Sequence, residues 1–178
     1  MKQSAELCVE QTARWVREFV IKLNLCPFAK REMDKGAVRI QASQAKTVED
    51  AMTELMLEVN ELNVNPSIET TLLVFPSFLS DFFDYLDFVD MAEQILAEND
   101  YEGIYQLATF HPDYCFADTN PDDVTNYTNR SPYPMLHLLR EEHIEQAIEY
   151  YGDTDKIPEN NMACLRQLGL EKVKEMTS

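Results

Sequence analysis

Histidine is the side chain best suited to move protons near neutral pH. His111 and His137 are therefore the first residues to weigh for chemistry. His111 stands just before Pro112, where an apolar run ends, a place that suits either an acid–base group or a cap on a strand end. His137 lies two turns beyond Arg130 in a helix expected to begin at Pro134, since proline suits a first helical turn. On that reading Asn129 and Arg130 are delivered to a helix N-terminus, where free N–H groups and the helix dipole can hold an anion. The plainer reading of Arg130 is an ion pair with Asp122 or Asp123. Arg140 falls within the apolar stripe of Leu136, Leu139, Ile144, Ala147, Ile148 and Tyr151. A guanidinium cannot shed its proton, so once buried it needs carboxylates or carbonyls, with Glu69 or a loop Asp expected, or else a ligand. Cys26, in Leu25-Cys26-Pro27-Phe28, reads either as a nucleophile that a histidine activates or as filler for an apolar gap.

These residues fit one arrangement. His111 and His137 serve as acid and base, Asn129, Arg130 and Arg140 bind a small anionic substrate, and Cys26 is a possible nucleophile. His111, Asn129, Arg130 and His137 would converge at the carboxyl end of the third strand. The competing reading is a catalytically inert acidic module that docks a basic partner. Neither reading calls for a cofactor. Asp118-x-Asn120-x-Asp122 imitates the start of a calcium loop, but Asp123 stands where that loop needs Gly and Asn129 where it needs Glu. No metal site is assigned, although His111 with Asp113, Asp118, Asp122 and Asp123 could furnish ligands.

The elements that must position these groups follow from periodicity. Val9, Ala13, Val16, Val20 and Leu23 recur at helical spacing between Ser4 and Leu23. Val38, Ile40 and Ala42 alternate with Arg39 and Gln41, the period of a strand with one covered face. Thr47 can cap a helix that runs to Asn65-Pro66, where proline disfavours continuation. Glu69 to Phe75 is short and rich in residues that favour strands. Ser80 or Asp81 opens a helix to Glu98, and Gly103 precedes a third strand from Ile104 to Phe110. His111 to Tyr133 has no period, but Tyr114, Phe116, Tyr127 and Tyr133 argue that this loop is ordered. Helices are expected from Pro134 to Tyr150 and from Glu159 to Leu168. This alternation predicts an α/β fold, a small mostly parallel sheet of about three strands covered by five helices, with an antiparallel α+β sheet as the alternative.

The 178 residues suit one domain, and 45% hydrophobic content is ordinary for it. Net charge is −17, and the 83 residues between Lys46 and Arg130 contain 18 acids and neither Lys nor Arg. Such a surface repels phosphate backbones and anionic headgroups, so neither nucleic acid nor membrane is expected as a partner. Glu6, Glu10 and Glu18 interrupt any apolar run near the start, and no segment has the ~20 apolar residues of a spanning helix. A cytoplasmic protein with Cys8, Cys26, Cys115 and Cys164 as free thiols is the expectation.

Four strings, Leu23-Asn-Leu-Cys-Pro-Phe-Ala-Lys30, Glu69-Thr-Thr-Leu-Leu-Val-Phe-Pro76, Gln106-Leu-Ala-Thr-Phe-His-Pro-Asp-Tyr114 and Asn126-Tyr-Thr-Asn-Arg-Ser-Pro-Tyr-Pro134 with Leu136-His-Leu-Leu-Arg-Glu141, resemble a family of bacterial proteins known as domain of unknown function 1415. The resemblance spans nearly the whole chain. It implies kinship and a similar single cytoplasmic domain, and it implies no chemistry.

Overall fold

The computed structural model describes residues 2–152 and 154–178. Its centre is a mixed sheet of four strands, β1 (Val38–Ala42), β2 (Thr70–Val74), β3 (Tyr105–Phe110) and β4 (Met135–Arg140), in the order β1-β2-β4-β3. β1 and β2 pair in parallel, with Ile40 opposite Leu72. β4 runs antiparallel to both its neighbours, with His137 opposite Leu72 on one side and Ala108 on the other. The three strands anticipated from alternation are present and share one direction, but a fourth lies between two of them.

That fourth strand corrects the expected Pro134–Tyr150 helix. Met135 to Arg140 is strand, and only Glu141–Tyr151 is helical (α5). The apolar run Met135-Leu136-His137-Leu138-Leu139 fits either period, and a central strand buried on both faces needs no alternation. Ile148 is exposed rather than inward, and the side chains of Ala147 and Tyr151 lie outside the described residues.

Seven α-helices, not five, occur among the described residues. α3 (Val48–Val64) and α4 (Phe82–Glu98) are capped as their sequences suggest: Thr47 Oγ1 accepts from Asp50 N–H, and an Asp81 carboxylate oxygen accepts from Phe83 and Asp84 N–H. They cover one face of the sheet, where Leu55, Leu62, Phe88 and Ala92 pack on Leu73, Leu136 and Leu138. α1 (Lys2–Trp15) continues as a π-helical stretch, Val16–Ile21, and is followed by the short α2 (Ala29–Asp34). With α6 (Ile157–Leu168) and α7 (Leu170–Thr177), the α1 segment covers the other face, where Cys8, Phe19, Leu165 and Val173 meet Leu72, Val74 and Met135. No described helix is long and apolar enough to cross a membrane.

Candidate functional site

Alternation along a strand sends successive side chains to opposite faces. On β4 this puts His137 and Leu139 on the α1 side, and Leu136 and Leu138 on the α3–α4 side. On β3 it separates Phe110, which lies near His137, from the next residue, His111, whose ring packs on Phe82 and Tyr85 of α4. His111 and His137 therefore occupy opposite faces, and the expected common pocket does not form.

His111 is fully buried, with Nε2 3.1 Å from Leu79 O and Nδ1 accepting from Asp113 N–H at 3.0 Å. Both ring nitrogens are used by backbone, which makes it a strut between α4 and the loop after β3. Burial lowers its pKa, so it stands neutral. The buried Tyr85 hydroxyl works beside it, donating to Met135 O at 2.8 Å and accepting from Phe110 N–H at 3.0 Å.

Asn129 and Arg130 serve the same loop. Asn129 Nδ2 donates to Thr109 O, while Arg130 donates to Tyr114 O at 3.0 Å and Pro121 O at 2.7 Å, with its guanidinium 4.8 Å from the Tyr127 ring centroid. Arg130 precedes a strand instead of a helix, so no helix N-terminus is available to it. Its expected partners Asp122 and Asp123 give way to carbonyls. The organiser that the sequence reading missed is Asn126, fully buried, which accepts from Phe116 N–H and Thr119 Oγ1 and donates to Asn120 O.

The cavity that does form has a volume of about 540 Å³ and lies on the α1 face of the sheet. His137 and Leu72 form its floor, Trp15 and Phe28 stand in its walls, and Cys26, Arg140 and His143 line it too. Its exposed residues, Arg31, Lys35 and Gln146, mark the mouth. It reaches Val38 and Glu69 at the amino-terminal ends of β1 and β2, away from the strand ends expected to carry a site. Among these residues, only His137, Arg140 and Cys26 belong to the expected set. His111, Asn129 and Arg130 do not line it.

His137 makes no hydrogen bond among the described residues. Its ring lies 6.3 Å from that of Phe110, which meets Trp15 edge to face at 5.6 Å. Burial among such groups lowers its pKa to about 4 and keeps it neutral at pH 7. At the other end of the cavity, His143 Nδ1 lies 2.6 Å from Glu69 Oε1. The carboxylate accepts from Nδ1–H, and Nε2 makes no hydrogen bond among the described residues. His143 lies in the first turn of α5, inside the longer helix that the sequence predicts from Pro134. The signal available was Glu69, expected as a partner of Arg140 and bonded instead to His143.

Arg140 differs from expectation in its partner. It ends β4, and its Nη2 donates to Leu62 O at 2.6 Å and Ile68 O at 2.9 Å. Leu62 lies in the last turn of α3, whose carbonyls lack helical partners, so the guanidinium caps that helix and ties it to the start of β2. No carboxylate pairs with Arg140 among the described residues. Cys26 is desolvated, which raises its thiol pKa despite N–H groups of Phe28 and Ala29 that favour the thiolate. None of the four cysteines is in a disulfide. No three His, Cys, Asp or Glu side chains gather as metal ligands among the described residues.

The family described as "Protein of unknown function (DUF1415)" matches residues 7–175. The chain belongs to this family. Comparison with the curated proteins and with the solved structures finds no match. For this DUF1415 member the geometry of the cavity, and no relative, must carry any functional reading.

Proposed function

We propose that the protein is an enzyme acting on a small anionic molecule held in the His137 cavity. The observation that carries this is the charge of the cavity lining, to which Arg140 contributes although its guanidinium turns to the carbonyls of Leu62 and Ile68. Arg31 and Lys35 add to it, and Glu32 and Glu69 offset it, so the lining holds three permanent cations against two carboxylates in a chain of net charge −17. An anion entering this cavity meets a field opposite in sign to most of the surface.

The proton chemistry falls to the Glu69–His143 pair. Glu69 orients the imidazole and stabilises its cation, as a carboxylate does beneath any histidine base. His137 acts as a neutral hydrogen-bonding group, because its lowered pKa leaves it uncharged at pH 7. His111, expected as the second acid–base group, is replaced in that role by His143.

Titration of ¹⁵N-histidine-labelled protein with phosphate and succinate tests this reading. The ring signals of His137 and His143 move and that of His111 stays fixed. Silence of both cavity histidines at millimolar anion removes the proposal.

One observation favours the docking alternative. Phe83 on α4 is 75% exposed, with Asp87 and Asp90 on the same outward face. A basic partner bound there dissociates steeply as salt rises, whereas an anion desolvated in the cavity responds less.

A further inference from the structure

The lining of the cavity says more about its ligand than the sign of a charge. His137 lies opposite Leu72, and Glu69 stands three residues before Leu72 in sequence. At about 3.3 Å per residue of strand, the floor between the two polar ends is roughly 10 Å long. Between them the lining is apolar and aromatic: Trp15, Phe28, Phe110, Leu72, Leu139 and Ile144. A compact polyanion would leave that surface wet and His137 without a partner.

Resting on the reading of this cavity as the substrate site, we propose that its ligand is an amphipathic aryl carboxylate: the carboxylate at the end lined by Arg140 and His143, a flat ring against the Trp15–Phe110 pair, and a hydroxyl against His137. The ring gains edge-to-face contacts of the kind that Trp15 and Phe110 make with each other. The hydroxyl gives a partner to an imidazole that makes no hydrogen bond among the described residues. At about 540 Å³ the cavity is within the usual range for small-molecule sites.

Trp15 is the single tryptophan of the chain and lines the cavity, so its fluorescence reports occupancy. The probes are para-hydroxyphenylpropanoate, phenylpropanoate, octanoate and propanoate, with succinate as the compact anion. The expected order is para-hydroxyphenylpropanoate about tenfold tighter than phenylpropanoate, roughly one hydrogen bond, and both tighter than octanoate and propanoate. In His137→Leu the hydroxyl preference disappears while phenylpropanoate still binds. Octanoate binding as tightly as phenylpropanoate overturns the aryl assignment, and a hydroxyl preference that survives in His137→Leu overturns the role of His137. If succinate moves the histidine signals while no aryl acid perturbs Trp15, this inference falls and the anion site stands. If no probe binds, both fall.

Discussion

Replacing His137 by Leu should flatten the pH dependence of stability, and the size of the effect follows from its burial. In the unfolded chain the imidazole titrates near pH 6.5, and in the folded protein at about 4. The folded value is depressed, so as pH falls below about 6.5 the unfolded state takes up a proton that the folded state refuses. Stability contributed by the neutral ring is thus complete above about pH 6.5, drains away towards pH 4 and is gone below it. Over the two units from about pH 6.5 to 4.5, at ~1.4 kcal/mol per unit, the loss is about 3 kcal/mol. Leucine has no proton to refuse and joins Leu72, Leu139 and Phe110 on an apolar floor. Urea unfolding followed by Trp15 fluorescence at pH 7 and 4.5 gives the comparison. The variant should lose about 3 kcal/mol less than the parent between the two conditions. Carboxylates and His111, whose pKa is lowered in the same direction, remain in both proteins and cancel. Parallel losses within ~0.5 kcal/mol would refute the argument, showing that water reaches the ring and that the floor is not apolar.

Arg140→Met removes two charge-assisted bonds to Leu62 O and Ile68 O. It should cost ~2–4 kcal/mol in urea unfolding, with a loss under ~1 kcal/mol contradicting the capping role. Tyr85→Phe leaves Met135 O and Phe110 N–H without their buried partner and should cost ~2–3 kcal/mol by the same assay. Denatured without reductant, the chain should take up four alkyl labels by mass spectrometry, and fewer would show a disulfide. In the native protein Cys8 should be labelled last, because it is buried and its thiol is pushed up to about 11.

The parts of the fold legible in sequence were those with one dominant period or a strong boundary. Thr47 and Asp81 announced their helices through capping chemistry, and Val38-Arg39-Ile40-Gln41-Ala42 announced a half-covered strand. β4 was misread because Met135 to Leu139 is apolar at every position but one, so sheet and helix templates fit equally. That one error moved the candidate site. A helix from Pro134 would have placed His137 and Arg140 on one turn-related face beside Arg130, whereas a strand sends His137 and Arg140 to opposite faces. His111 was located correctly at a strand end, yet its side of the sheet depends on pleat phase and on α4 packing, neither of which local composition reveals. Glu69–His143 joins residues far apart in sequence through the β2–β4 pairing. Carbonyl partners for Arg130 and Arg140 were hidden because every residue offers a carbonyl.

The position of β4 also dictates an order of assembly. β2 and β3 have no contact across the sheet until residues 135–140 slide between them, so a growing ribosomal chain carries two unjoined sheet fragments with open inner edges until its last quarter emerges. Such edges are templates for pairing with other nascent chains. The whole of the chain from α3 to the end of β3 lies in the 83 residues that hold 18 acids and no Lys or Arg. Mutual repulsion between those segments keeps neighbouring unfinished copies apart during the interval when self-association would be most damaging. The sheet thus depends on a strand late in the chain to close the inner edges of both β2 and β3.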